Sequence, residues 1–328
     1  MKSLFLSGGL VLAAVLAGCS AERLPGRPTV EDHPPLLMAF MSERPPSPAF
    51  SADVYLDDLR APAAPFLPAG VNTPSVEGPA ALSGNGRTLA FFSSRLPTGS
   101  VAQLFVYDIA SGNTTIPARI NQLYSVQNPS LSYDGRLLAA QYQVSDFQDL
   151  YIVIQDLVAD SLLETPGLNA IGSTNFDPSL SGDGSLVAFA SNRIGSLGAY
   201  DVFLYSVPGD SLIPLPGLNS TAQDMAPSIS ADGRYIAFQS GRTSGVGLID
   251  VYVYDRQTKS LLSLPGANTN MSEIQPGLSP DGRYLAYATE TSGDRDVRLY
   301  DLRDQRLIPL PGLNDSYFFD YFPVLADR

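Results

Sequence analysis

The segment QPGLSPDGRYLAYA, residues 275–288, consists of two apolar runs separated by Asp281-Gly282. Asp-Gly between such runs predicts a β-hairpin with a type I′ turn, in which both central residues have positive φ. The turn pair recurs at an interval of 49 residues. Its earlier copies are Asp232-Gly233, Asp183-Gly184, Asp134-Gly135 and Asn85-Gly86. A fixed period of this length indicates a repeat architecture with one supersecondary unit per repeat.

Each repeat contains four predicted strands, which we name A to D. The hairpin supplies strands A and B, and a β-branched and aromatic run such as residues 250–253 (DVYV) supplies strand C. A stretch that contains proline and ends in asparagine follows, as in residues 212–219 (LIPLPGLN). Proline places this stretch at a sheet edge, as the outermost strand D. Five complete repeats run from about Ala80 to Asn314.

The two ends of the repeat region complement each other. Residues 36–42 (LLMAFMS) match strand B, and strands C and D follow them, but no strand A precedes them. Residues 322–326 (FPVLA) match strand A, and the chain stops before any strand B. We therefore predict an all-β fold over residues 36–328, a six-bladed β-propeller of four-stranded antiparallel blades. The C-terminal strand A joins the N-terminal strands B, C and D and closes the ring.

The composition excludes several kinds of partner and site. Among 328 residues, 20 are Lys or Arg and 33 are Asp or Glu, which gives a formal net charge of −13. This charge repels phosphate backbones, so we expect no nucleic-acid partner. The single cysteine excludes an intramolecular disulfide, and the single histidine, His33, excludes a multi-histidine metal site. We expect no cofactor and no metal.

The N-terminus has the pattern of an export signal. In residues 1–18, Lys2 precedes an apolar run that is too short to span a bilayer, as in a secretory signal peptide. Residues 16–19 (LAGC) resemble a bacterial lipobox, which predicts cleavage before Cys19 and its diacylation; the alternative is an ordinary signal peptide with an incidental cysteine. Ser20 resembles an outer-membrane sorting residue. Residues 19–35 are rich in proline and charge and predict an extended tether.

The repeat motif resembles that of a known family. Pro-x-Leu-Ser-x-Asp-Gly-Arg-x-Leu-Ala-Phe followed by Asp-Val-Tyr-x-Tyr-Asp is similar to the TolB-like six-bladed propellers, over nearly all of residues 36–328. The family usually has tryptophan before the strand A serine, where this chain has leucine or isoleucine. TolB proper carries an additional N-terminal α/β domain that engages its Tol partners. The resemblance therefore covers the propeller domain of TolB only, and together with the lipobox it predicts a TolB-like propeller lipoprotein.

One ring of repeat positions, polar in five of its six copies, lies three residues before the strand A proline, or two residues before it in the first copy. Its members are Glu77, Val126, Asn175, Asp224, Glu273 and Asp320. The connections between strands B and C carry Arg44, Arg95, Arg193 and Arg242. Both sets belong to one rim of the channel, so we expect an electronegative opening. Pairing of the arginines with the carboxylates in a structural ring is favoured over dedicated ligand binding. In either case the rim is the predicted docking surface.

Two functions remain for such a chain. The first is a lipid-anchored, non-enzymatic envelope protein, a monomer at the periplasmic face of the outer membrane, whose propeller rim binds a protein or a cell-wall component. The sequence contains no nucleophile elbow, phosphate-binding loop or zinc motif, and we predict no catalytic residue. The second is an extracytoplasmic glycan-active enzyme that uses Asp224 and Glu273 as paired carboxylates. Binding of Ca²⁺ by rim carboxylates also stays open.

Overall fold

A computed structural model describes residues 34–44, 52–60, 64–95, 103–144, 149–291, 294–314 and 319–328. The predicted signal peptide, the lipidated Cys19 and the tether up to His33 lie outside these residues. Within the part of the chain that the structure describes, no helix has the length and apolar character needed to span a bilayer.

The described residues form short strands and one 3₁₀ turn, Ile120–Gln122. The strands, in chain order, are β1 (Leu36–Ser42), β2 (Asp53–Asp58), β3 (Glu77–Leu82), β4 (Thr88–Ser93), β5 (Gln103–Asp108), β6 (Thr114–Thr115), β7 (Gln127–Leu131), β8 (Leu137–Gln143), β9 (Leu150–Asp156), β10 (Ser161–Leu162), β11 (Asn175–Leu180), β12 (Leu186–Ser191), β13 (Asp201–Ser206), β14 (Ser211–Ile213), β15 (Asp224–Ile229), β16 (Tyr235–Ser240), β17 (Asp250–Asp255), β18 (Ser260–Leu261), β19 (Ser272–Leu278), β20 (Tyr284–Thr291), β21 (Asp294–Asp301), β22 (Arg306–Ile308) and β23 (Asp320–Asp327).

Consecutive groups of four strands form antiparallel blades 1 to 5, beginning with β3, β7, β11, β15 and β19. Blade 6 has the order β2-β1-β23, so the last strand of the chain pairs with the first. Met38 lies opposite Leu325 and Ala39 lies opposite Val324. The predicted six-bladed propeller and its closure by the two termini are therefore confirmed. In blade 6, strand D is reduced to a single bridge between Leu56 and Phe66.

The hairpin turns differ from the prediction in one respect. Gly282 has a φ of 69°, but Asp281 is not among the residues with positive φ, so the turn is not of type I′. The Ser279 hydroxyl donates to an Asp281 carboxylate oxygen at 2.5 Å and accepts from the Tyr284 amide at 2.9 Å. These two bonds stabilise a four-residue loop, residues 280–283. Because the other four hairpins repeat them, the strand A serines satisfy backbone groups, as predicted.

Neighbouring blades are held together by apolar packing, and an asparagine extends the pairing within each blade. The strand B alanines, among them Ala237 and Ala286, are completely buried, and each apolar cluster draws residues from two adjacent blades. Asn268 accepts a hydrogen bond from the Val251 amide and donates one to the Val251 carbonyl oxygen. Equivalent asparagines do the same in every blade; they are Asn72, Asn121, Asn169, Asn219 and Asn314. Each asparagine thus pairs with strand C where strand D has ended.

Candidate functional site

The propeller has two different faces. We call the face formed by the D-to-A and B-to-C connections the loop face, and the face formed by the A-to-B and C-to-D turns the turn face. The chain enters β1 from the turn face, because the Arg328 amide donates to the Pro35 carbonyl oxygen and the Asp327 amide donates to the Gly84 carbonyl oxygen within a hairpin turn. All predicted site residues of the propeller lie on the opposite side, at the loop face.

The predicted ring of carboxylates does not face an open mouth. Glu77 is 2% exposed, and Asn175, Asp224, Glu273 and Asp320 are completely buried. Each one begins or lies in a strand A, and its side chain points between strands rather than into the channel. The expected electronegative opening is therefore wrong for these residues: burial between blades was not evident from their spacing. A partner at this rim cannot touch their carboxylates directly.

Blade 4 shows what the ring does instead. The Arg242 guanidinium donates to Asp224 at 2.8 Å and to the Leu218 carbonyl oxygen of blade 3 at 2.9 Å. Its Nε donates to the Ser240 hydroxyl at 3.0 Å. The guanidinium carbon also lies 5.1 Å from the ring centroid of Phe238 and 4.4 Å from that of Tyr252. One arginine thus joins two strands of its own blade to the preceding blade, and it compensates a buried negative charge.

Three other blades repeat this unit. Arg44 donates to Asp320 at 2.6 Å, and Arg95 lies 3.4 Å from Glu77 and donates to the Val71 carbonyl oxygen. The predicted pairing of arginines with ring residues is therefore observed. In blade 3 the partner is an amide: Arg193 donates to Asn175 at 2.7 Å and to the Leu168 carbonyl oxygen at 2.6 Å.

The remaining two blades replace the unit. In blade 2 the positions of acid, serine and arginine are occupied by Val126, Tyr142 and Val144, and Val126 packs in an apolar cluster. In blade 5 the arginine position is Thr291. There the Tyr287 hydroxyl donates to the Ala267 carbonyl oxygen at 2.8 Å, at the position equivalent to Leu218. The blade junction keeps its hydrogen bond although the cation is absent.

A second acidic ring, which the sequence analysis did not single out, begins the C strands. The Asp201 carboxylate accepts from the amides of Leu197 and Gly198, and the Asp250 carboxylate accepts from the amides of Val246 and Gly247. Both aspartates are buried. They cap the backbone of the B-to-C loops and hold these loops in one conformation. The available signal was the aspartate that opens the DVYV-type motif of strand C.

Burial raises the pKa of carboxyls where the rings meet across a blade junction. Burial raises the pKa of Asp320 to about 6 in spite of its pairing with Arg44, and Asp296 of the adjacent blade adds to the effect. One carboxylate oxygen of Asp320, Oδ1, has no hydrogen-bond partner among the described residues. Burial also raises the pKa of Glu273, and Asp250 across the junction between blades 4 and 5 acts in the same direction.

The raised pKa of Asp320 predicts a measurable pH dependence of stability. The pKa of Asp320 rises from 3.8 to about 6 on folding, so the folded state favours the protonated carboxyl. The resulting contribution to the free energy of unfolding is fully present below pH 3.8 and is lost as the pH rises through 6. We expect the free energy of unfolding of the wild type, taken relative to that of Asp320→Asn, to fall by about 2 kcal/mol from pH 4 to pH 7. Urea denaturation at several pH values measures it, with the exposed Glu164→Gln as control. A constant difference would contradict the prediction.

The side chains that do line the channel at the loop face belong to a different position. Each strand A contains a bulge, and in five blades the residue just before its proline has positive φ. These residues are Asn128, Asp177, Ala226, Gln275 and Phe322. The amide of Asp177 donates to Gln141 of the preceding blade, and that of Phe322 donates to Gln275 in the same way. In the sequence, these channel-lining residues are recognisable as the ones that directly precede a strand A proline.

The mouth of the channel is narrow and mainly apolar. The bulge residues and the six strand A prolines line a cavity of about 130 Å³, below the usual size of a small-molecule site. Asp177 provides the carboxylate of this lining; burial raises its pKa to about 6, and an Asn128 amide hydrogen bond of 2.7 Å acts in the opposite direction. The channel mouth offers little room for a sugar ring between catalytic groups.

The family model described as the TolB beta propeller domain matches residues 72–316. The chain belongs to the TolB beta propeller domain family. Among curated proteins, none matches its sequence. The TolB-like propeller predicted from the repeat motif is thus confirmed, as is its family.

Solved structures share the fold of this TolB-like propeller. TolB from Acinetobacter baumannii is 19% identical, with a TM-score of 0.67, over 89% of this chain and 67% of that one. A TolB candidate from Agrobacterium tumefaciens is 16% identical, with a TM-score of 0.57, over 89% of this chain and 99% of that one. An oligogalacturonate lyase in complex with manganese is 15% identical, with a TM-score of 0.51, over 75% of this chain and 70% of that one. The fold is therefore shared by TolB proteins and by an enzyme, so it does not by itself define a function.

The carboxylates of the predicted glycan-active alternative are not available for catalysis. Asp224 is bound by Arg242 and by the Ser220 amide, and Glu273 accepts from the Thr269 hydroxyl at 2.6 Å. Because both are completely buried, neither reaches a polysaccharide outside the propeller. Among the described residues, no cluster of three or more His, Cys, Asp or Glu side chains has an arrangement that would hold a metal ion.

Proposed function

We propose that this protein is a lipid-anchored, non-enzymatic envelope protein whose loop face binds a partner protein. The family supports the general class, since TolB-like propellers are interaction scaffolds of the cell envelope and are generally non-enzymatic. The observation that carries the proposal is the pair of buried polar rings. They order the connections of the loop face without presenting a reactive group to solvent, which suits a rigid binding surface.

The point at which the chain enters the propeller supports an orientation with the loop face away from the membrane. Residues 34–36 lie at the turn face, and the segment from Cys19 to His33 spans at most about 50 Å when fully extended. An anchor at Cys19 therefore directs the turn face towards the membrane by the shortest path. The loop face then points away from the lipid and is accessible to a partner.

The anchor has a direct test. We expect Cys19→Ser to move the protein from the membrane fraction to the soluble fraction, because thioether-linked and amide-linked acyl chains together make attachment stable. Fractionation of cells followed by immunoblotting measures the distribution, and Ser20→Ala, one residue away, serves as control. A wild-type protein that is soluble, or a variant that stays on the membrane, would show that no lipid anchors the chain.

The docking surface is tested by photo-crosslinking in cells. A photoreactive residue at Val76 or Tyr124, both exposed on the loop face, is expected to yield an adduct with a protein. The same residue at Val158 or Lys259, both exposed on the turn face, is expected to yield none. Adducts with peptidoglycan fragments from the loop face would indicate a cell-wall ligand instead, and adducts from the turn face alone would contradict the proposal.

A further inference from the structure

One sector of the loop face exposes large apolar side chains and carries no exposed charge. We call this set the apolar patch; it comprises Ile171, Ile194, Leu197, Val246, Leu248 and Met271. Ile171 and Ile194 are essentially fully exposed, and Leu248 is 83% exposed. The five connections that carry the patch are residues 169–174, 192–200, 217–223, 241–249 and 266–272. They contain two charged residues, Arg193 and Arg242, and both point inward.

The patch belongs to a continuous series of loops. A Cβ atom at Gly198 would overlap the Ala222 carbonyl oxygen, and one at Gly247 would overlap the Met271 carbonyl oxygen. The B-to-C loops of blades 3 and 4 therefore each pack directly on the D-to-A connection that leads into the next blade, and this contact requires glycine. The caps from Asp201 and Asp250 fix the same loops. The apolar side chains are thus presented by ordered backbone across blades 3 to 5, which reduces the entropy lost on binding.

We infer that the apolar patch is the contact surface for a partner protein whose own contact surface is apolar and uncharged. This inference rests on the proposed function and names the chemistry of its partner. Exposed apolar clusters mark interaction sites, and the centres of protein interfaces are depleted of charge and enriched in methionine. In a chain with a net charge of −13, a sector free of exposed charge is suited to a partner that binds by apolar contact rather than by electrostatic attraction.

The position of residues 34–36 at the turn face favours a partner protein over two other occupants. A lipid surface lies on the side of the turn face, where the chain leaves the propeller, so the patch points away from it. Two anchored copies in one membrane direct their loop faces the same way, so their patches do not meet face to face. A different protein that approaches the loop face from outside the membrane can contact the patch in this orientation.

Photo-crosslinking from the intact lipidated chain in cells provides the first part of the test. A photoreactive residue at Ile194 and at Leu248 should give the same protein adduct, and one at Val158 on the turn face should not. An adduct of twice the chain's mass, or crosslinking to lipid, would overturn the inference. If Val76 or Tyr124 gives an adduct and Leu248 gives none, the patch is wrong but the proposed function stands; if no loop-face position gives one, both fail.

Measured affinity of the captured protein provides the second part. We expect Leu197→Asn and Leu248→Asn each to weaken its binding at least tenfold, and the matched variant Val158→Asn to change it less than twofold. Because apolar contact is screened little by salt, the dissociation constant should change less than about threefold between 0.05 and 0.5 M NaCl. A steep dependence on salt, or equal binding by the patch variants, would overturn the inference even if the adducts form.

Discussion

Replacing Arg242 with alanine is expected to lower the free energy of unfolding by about 3–5 kcal/mol. The guanidinium is the cation that compensates the completely buried Asp224, and it also satisfies the Leu218 carbonyl oxygen of the neighbouring blade. Its removal leaves the buried Asp224 without a counter-ion and the Leu218 carbonyl oxygen without this donor. Urea denaturation of the protein lacking residues 1–19 measures the loss.

The propeller itself supplies the matched control. Asp224→Asn recreates in blade 4 the natural pair of Asn175 with Arg193, so we expect a loss below about 1 kcal/mol. Adding Asp224→Asn to Arg242→Ala should recover about 2 kcal/mol, since the carboxylate that Arg242 compensates is then removed as well. The exposed Arg303→Ala should have almost no effect. If Arg242→Ala costs no more than Arg303→Ala, the buried ion pair does not join the blades.

Deleting residues 319–328 is expected to abolish cooperative unfolding or to lower the melting temperature by at least about 15 °C. This segment contains β23, the inner strand of blade 6, and its loss exposes the edge of β1 and the apolar side chains that Leu325 and Ala326 cover. It also removes the contacts of β23 with blades 5 and 1. Thermal denaturation followed by circular dichroism measures the change.

Strand complementation makes this prediction specific. A synthetic peptide of residues 319–328 (FDYFPVLADR) should restore the melting transition of the truncated chain, because it supplies the missing hydrogen bonds and apolar contacts. The same peptide with Leu325→Asp should not, since Leu325 is buried between blades 5 and 6. A truncated chain that melts within about 3 °C of the full-length protein would show that the ring does not depend on this closure.

The amino-acid sequence by itself determined the number of blades, their strands and the closure of the ring. Every repeat carries its own Asp-Gly or Asn-Gly turn signal at a 49-residue interval. The strand A at the C-terminus and the strands B, C and D at the N-terminus together make one further blade. Hairpin and strand signals need only neighbouring residues, because turn geometry and alternation of side chains act over a few positions. The pairing of arginines with the first ring followed from the same periodicity.

The tertiary structure alone decided which residues face the channel, the blade junctions and the solvent. A bulge in strand A shifts the register next to Asp177, so the position before the proline lines the channel and the one three residues before it is buried. Such a shift reverses the direction of a side chain without leaving a mark on the repeat length. The apolar patch likewise arises only when loops distant in sequence pack together, because exposure is a property of neighbours and not of the residue itself.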